Sequence, residues 1–187
     1  MPTDEDVTIG KLLLAEYDRL KEEQKTRIGF RDNLLYVTLA VMVTVLIGAA
    51  QTDRAAVLLA LPAATFILGW TYLVNDQKIS AIGSYVRTDL GPRLGGLAGQ
   101  RENPFVWETA HRRDAHRKQR KIIQCTVDLS AFGVVPLAFL VTFWISGTGT
   151  ALTIFASALE TLTIAVLGAQ ILLYAETRPD PRAPGPI

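Results

Sequence analysis

The sequence predicts an all-α, polytopic membrane protein with four transmembrane helices in two hairpins and helical cytoplasmic extensions. Three observations carry this. First, apolar residues are gathered into blocks. "NLLYVTLAVMVTVLIGAAQT" after Asp32 is uncharged up to Asp53, and "AAVLLALPAATFILGWTYLVN" after Arg54 is uncharged up to Asp76. From Leu129 to Ala175 the one charge is Glu160. Second, this last block is too long for one crossing and breaks at "SGTGT", residues 146–150. Each resulting piece has about the 20 residues that cross roughly 30 Å of hydrocarbon as a helix. A helix is the expected form because lipid offers the backbone no hydrogen-bond partner. Third, 18 of the 19 Lys and Arg fall on one side of the resulting pattern. A soluble helical protein of 187 residues has too little interior to hide four such runs.

Residues 1–33 form a cytoplasmic amphipathic helix. Ile9, Leu12, Leu13, Tyr17, Leu20 and Ile28 recur largely at spacings of three and four, which gathers them into one stripe. Arg19 with Glu23 and Glu23 with Arg27 fall at i,i+4 on the wet face. Nothing except Gly29 interrupts the passage into the first span, so one long helix is expected, with Gly29 as the place for a bend. The stripe needs a partner, either another cytoplasmic helix or the same helix of a second subunit. Leu13, Tyr17 and Leu20 are the residues assigned to oligomer packing.

Residues 34–74 form the first transmembrane hairpin, with spans at 34–51 and 55–74. Residues 75–128 form a cytoplasmic helical segment. Ile79, Ile82, Val86 and Leu90 continue the second span inward until "GPRLGG" stops it, leaving a loop at 91–103. Asn103 followed by Pro104 then starts a helix. That helix carries Phe105, Trp107 and "HRRDAHRKQRK" into the third span. Residues 129–175 form the second hairpin, with spans at 129–146 and 151–174, and Pro62 and Pro136 are places where spans bend. The tail 176–187, "ETRPDPRAPGPI", is expected to be disordered.

Six Lys/Arg precede the first span, ten lie between the second and third, two follow the fourth, and only Arg54 falls in the opposite loops. The positive-inside rule therefore places both termini and the central segment in the cytoplasm. Tyr36, Trp70, Tyr72 and Tyr174 fall near the inner interface and Trp144 near the outer one. The acidic start "MPTDEDVTIG" and the late first apolar block do not fit a cleaved secretory signal. The single cysteine, Cys125, excludes an intramolecular disulfide.

Glu160 lies nine residues into the fourth span, about 14 Å deep at 1.5 Å per residue. A charge near the midplane costs on the order of 3 kcal/mol, so Glu160 is expected to face protein. Two roles fit: a pore-lining, proton- or ion-binding group, or an interhelical hydrogen bond to Thr44, Thr65, Thr142 or a neighbouring subunit. Gln170 is the other polar side chain that stands out in this span. Arg112, Arg113, Arg117, Lys118, Arg120 and Lys121 form a basic block just inside the membrane. Such a block suits anionic headgroups, at about 1 kcal/mol per charge. A nucleotide-type, phosphate-bearing ligand is the sharper alternative, although no glycine-rich phosphate loop accompanies the block. No nucleic-acid-binding domain is recognisable. Glu108 and His111 make one Glu-x-x-His where a dimetal site needs two, and no metal or cofactor is expected. No Ser/His/Asp set suits nucleophilic catalysis, so the chain reads as a non-enzyme. Ala60 with Ala64, and Ala165 with Ala169 beside Gly168, set small residues four apart, the spacing of closely approaching helices.

"EYDRLKEEQKTRIGFRDNLLYVTLA" and "GWTYLVNDQKISAIGSYVRTDLGPRL" resemble stretches of an uncharacterised family of four-helix integral membrane proteins from high-GC actinobacteria. The resemblance covers most of residues 15–95 and implies no particular chemistry. In architecture alone, the plan resembles SLATT-type small membrane effectors, which implies membrane perturbation after a cytoplasmic signal. The expected function is a homo-oligomeric membrane protein acting as a channel-like or membrane-perturbing effector, controlled by its cytoplasmic helices. The alternative is a non-conducting scaffold that recruits a cytoplasmic protein, and a small transporter is the third reading. The expected partners are membrane lipid, further copies of the chain, and a cytoplasmic protein or nucleotide-type ligand.

Overall fold

A computed structural model describes residues 8–52, 54–99, 104–105, 116–147 and 149–175, with the side chains of 117 and 118 outside the description. The described residues contain helix and no strand. Helix α1 spans Ile9–Thr52 without interruption at Gly29. Helix α2, Ala55–Leu97, opens with the tight turn Ala55–Leu59, continues as Ala60–Tyr85, widens at Val86–Leu90 and closes as Gly91–Leu97. Helix α3 runs as Arg117–Leu129, a wide turn Ser130–Val134, and Val135–Ser146. Helix α4 is Ala151–Tyr174. All four are long and apolar enough to cross a membrane.

The break between α3 and α4 has a clear local cause. Gly147 adopts φ 64°, which ends α3, and its N–H donates to the Trp144 carbonyl. Thr150 then caps α4. Its hydroxyl accepts from the Thr153 N–H at 3.4 Å, while the Thr153 hydroxyl accepts from the Thr150 N–H at 2.8 Å.

The three prolines inside the helices share one solution. A proline ring crowds the carbonyl four residues back and offers it no N–H. For Pro62, Pro92 and Pro136 those carbonyls belong to Leu58, Thr88 and Phe132. Each lies in a turn that is not α-helical: Ala55–Leu59, Val86–Leu90 and Ser130–Val134 respectively. The chain meets each proline by changing helix type over one turn. This corrects the loop expected at 91–103. Helix continues to Leu97, because the wide turn before Pro92 lets the helix pass "GPRLGG".

The chain divides into two compact units: residues 1–30 with 75–117, and 31–74 with 118–187. In the first, the N-terminal part of α1 packs on the C-terminal part of α2. Leu13, Val86, Leu90 and Leu94 form the buried centre, with Tyr17, Leu20, Ile82, Tyr85 and Phe105 against it. Tyr17 stacks on Phe105 with centroids 4.2 Å apart. Gln24 Nε2 donates to the Ile79 carbonyl at 3.1 Å, and Arg27 Nη1 donates to Asn75 Oδ1 at 3.1 Å. Tyr85 donates to Glu16 at 2.8 Å, and that bond holds its phenol above the ordinary value.

Leu13, Tyr17 and Leu20, assigned above to oligomer packing, therefore find their cover within the chain. The expected stripe is also narrower than its spacing implied, since Ile9, Leu12 and Ile28 are exposed. Of the two expected ion pairs, Glu23–Arg27 forms at 2.6 Å, whereas Arg19 pairs at 3.5 Å with Glu22 in place of Glu23. We expect Leu90→Ala to cost about 2–5 kcal/mol, the usual loss for a buried leucine. Limited proteolysis should then cut residues 8–30 sooner than in the wild type; an unchanged digestion pattern would show that this cluster does not hold the unit together.

In the second unit, Leu34, Tyr72, Leu73, Phe132, Leu167 and Ile171 form one apolar cluster. Leu58, Leu59, Leu140 and Phe143 form a second, and Met42, Val45 and Leu61 a third. Gly69 makes the tightest approach. A Cβ there would lie 2.6 Å from Leu167 Cδ2 and 2.8 Å from Phe132 Cδ1. Buried threonines satisfy themselves: Thr38 and Thr65 donate to the carbonyls of Leu34 and Leu61, four residues back. The outer surface of this unit is apolar, with Val43, Ile47, Ile67, Ile145, Phe155 and Leu173 all exposed.

Candidate intramembrane acid site

Along α4 the buried residues are Ser157, Ile164, Leu167 and Ile171. The spacing from 157 to 164 leaves room for one more position on the same face, and Glu160 occupies it. Thr153 continues the face toward the helix start. Glu160 is half-buried, and its Oε2 atom is buried with no hydrogen-bond partner among the described residues. The expectation that it faces the interior fits this placement.

The three threonines expected as its partners are engaged elsewhere. Thr44 donates to the Ala40 carbonyl, Thr65 to Leu61 and Thr142 to Ala138, at 2.9, 2.9 and 2.8 Å. The hydroxyls nearest in sequence also turn to backbone: Thr161 donates to the Ser157 carbonyl and Thr163 to that of Glu160 itself. In an apolar run each hydroxyl is best satisfied by its own helix, which leaves the acid oxygen without a donor.

This face of α4 divides at Glu160. On the side of the 147–150 connection it is polar, with Thr153 and Ser157. On the other side its fully buried positions are aliphatic: Ile164, Leu167 and Ile171 are 1%, 0% and 4% exposed, with Thr163 and Gln170 half-buried beside them. Ser157 is buried and accepts a hydrogen bond from Trp144 Nε1 at 2.9 Å. Gln170 is half-buried and about 15 Å farther along α4 at 1.5 Å per residue, so the two polar residues singled out together are not brought together.

A second buried acid was not anticipated. Tyr72 donates to Asp128 Oδ1 at 2.8 Å, with both residues buried. Gln124 also hydrogen-bonds Tyr72, and the Arg31 guanidinium lies close enough to act on it electrostatically. Tyr72 stacks obliquely on Phe132, 5.2 Å between centroids. Sequence alone marked Tyr72 as an interfacial aromatic and Asp128 as the end of an apolar block. Tyr72 is a buried donor, while Tyr36, Trp70, Trp144 and Tyr174 are exposed. The missed signal was a carboxylate and a phenol at the same end of two adjacent apolar runs.

Of the basic block, Arg112 and Arg113 lie outside the described residues. Arg117 and Lys118 belong to α3 by their backbone alone, Arg120 is exposed, and Lys121 is half-buried. Glu108 and His111 also lie outside the described residues, as does the tail 176–187. Among the described residues no three His, Cys, Asp or Glu side chains gather as a metal site. Of the small residues singled out for close packing within or between chains, Ala64 and Gly168 are half-buried and Ala60, Ala165 and Ala169 are exposed, while Gly69 makes the close approach within the chain. Comparison with protein-family models, with curated proteins and with solved structures finds no match for the chain.

Proposed function

We propose that the chain is a multi-pass protein of a bacterial cytoplasmic membrane. Its four apolar helices cross in two hairpins, with both termini cytoplasmic, and it passes protons or small cations by way of Glu160. The carrying observation is the buried, unpartnered Glu160 Oε2 on the interior face of α4. An acid at that depth is costly, and a structural role would satisfy its oxygens. The apolar outer surface of the second unit supports the membrane assignment, since water does not tolerate so large an apolar patch. The exposed face of α4, with Ala158, Ala165 and Ala169, supports self-association, because small residues let helices approach closely. Arg120 and Lys121 suit contact with anionic headgroups, and the helical pair formed by residues 9–30 and 75–97 is the element that a cytoplasmic partner or ligand would act upon.

The apolar closure below Glu160 favours a second reading, a non-conducting membrane scaffold. Induced expression followed with a membrane-potential dye separates the two. Wild type should depolarise cells and Glu160→Gln should not; full polarisation with abundant membrane-inserted wild type would leave the scaffold. Topology is tested independently. Reporter fusions at Thr52, Gly99 and the C-terminus should read outside, inside and inside, and an inside reading at Thr52 would reverse the orientation.

A further inference from the structure

We propose that Glu160 is reached only from the end of the bundle that carries the 147–150 connection, and that the Trp144–Ser157 hydrogen bond is the latch closing this approach. The inference rests on Glu160 being an exchangeable acid, as proposed above, and adds its direction of access and the side chain that guards it.

Three observations point the same way. The interior face of α4 carries Thr153 and Ser157 before Glu160, and beyond it the fully buried positions Ile164, Leu167 and Ile171 are aliphatic, with Thr163 and Gln170 half-buried beside them. Water or a cation moving along this face therefore meets hydroxyls on one side of the acid and fully buried aliphatic chains on the other. The two halves of α4 are also held differently. Leu167 and Ile171 belong to the cluster with Leu34, Tyr72, Leu73 and Phe132, and Leu167 abuts Gly69. Among the described residues, none of the buried apolar clusters includes a residue from 151–163. The inner half of the helix is thus locked by a buried apolar cluster, whereas the half above Glu160 meets α3 and the Ala55–Leu59 turn without joining one.

The third observation is what ties that looser half down. Trp144 Nε1 donates to Ser157 Oγ at 2.9 Å, and Ser157 in turn donates to the Ile154 carbonyl at 2.8 Å. Ser157 lies one turn before Glu160 on the same face, so the indole that reaches it stands one turn from the acid on the 147–150 side. Opening the bundle there breaks this hydrogen bond and uncovers Ser157. Opening it at the other end requires exposing Leu167, Ile171 and Phe132 together. The latch is consequently the weaker barrier and the route of exchange.

Cysteine accessibility in sealed vesicles tests this. The background carries Cys125→Ser, Glu160→Cys reports the site, and Ser146→Cys in a parallel protein marks the side on which the connection lies. The probe is a membrane-impermeant methanethiosulfonate. Glu160→Cys should react from the Ser146→Cys side alone, and adding Trp144→Phe should raise its rate by roughly three- to tenfold, the range expected for losing one intramembrane hydrogen bond. Ser157→Ala removes the acceptor of the same bond and should give the same acceleration; it also covers a Trp144 variant that fails to insert. Cysteines at Ile164 and Leu167 should stay unreactive from both sides. Reaction of Glu160→Cys from the opposite side, or one rate in all three backgrounds, overturns the latch. Because the readout is labelling, a protein that conducts nothing but labels as described would sink the conduction reading and leave the access route standing.

Discussion

Gly69→Leu is expected to disrupt the second unit more than any other single substitution in the spans. The Cβ alone would sit 2.6 Å from Leu167 and 2.8 Å from Phe132, and both of those side chains are 0% exposed. Neither has free space into which to retreat, and the Phe132 ring is stiff. Gly69→Ala should cost about 1–3 kcal/mol, the usual range for overpacking. The larger leucine side chain should exceed that range and deplete the folded protein. Thermal unfolding in detergent, read by intrinsic tryptophan fluorescence, orders wild type above Ala above Leu. An alanine variant as stable as wild type would mean that α2 and α4 approach less closely than described.

Tyr72→Phe carries the second large effect. The phenol hydrogen-bonds a carboxylate that is 8% exposed, so its removal takes a donor from a buried acid. Leaving a buried polar group short of a partner costs about 1–3 kcal/mol. Asp128→Leu removes the other partner and leaves the phenol short of its acceptor. The double variant should be less damaged than the sum of the two, with a coupling of about 0.5–3 kcal/mol. Additive losses would show that the pair contributes no joint stability.

These two sites also mark where sequence reading stops. The boundaries of the apolar runs were legible because charges and turn residues mark them. Helices end or begin at Thr52, Ala55, Ser146, Ala151 and Tyr174, within a residue of the expected spans. Which face of a helix meets which neighbour was not legible. Thr65 and Gly69 are spaced four apart like the alanine pairs that were singled out, yet the alanines at 165 and 169 face outward. Composition cannot rank such pairs, because the neighbour's side chains decide which is used. The stripe at Leu13, Tyr17 and Leu20 gave its own direction and left open whether a second helix or a second subunit covered it. The helix through Leu97 was hidden for a different reason. "GPRLGG" reads as a stop unless the turn before the proline widens, as Val86–Leu90 does.

Glu160 stands between these cases. Its cost in lipid predicted an inward orientation, and the i+3, i+4 spacing from Ser157 to Ile164 places it on the interior face. That its expected threonine partners bond their own helices could not be read from sequence. The same competition, side chain to local backbone, governs nearly every hydroxyl in the spans.

Ion flux through purified protein in liposomes tests the central claim most directly. Vesicles with an interior pH dye and an imposed proton or potassium gradient should dissipate it when wild type is present. Glu160→Gln keeps the size and hydrogen bonding of the side chain, so the protein should fold, and the flux should fall at least tenfold or lose its pH dependence because the exchangeable proton is gone. Glu160→Leu should show no flux and should not be less stable than wild type by more than about 1–2 kcal/mol, an intramembrane hydrogen-bond value. Equal flux through wild type and Glu160→Gln across pH, or no flux from well-folded wild type with either gradient, would contradict the assignment of Glu160 to ion passage.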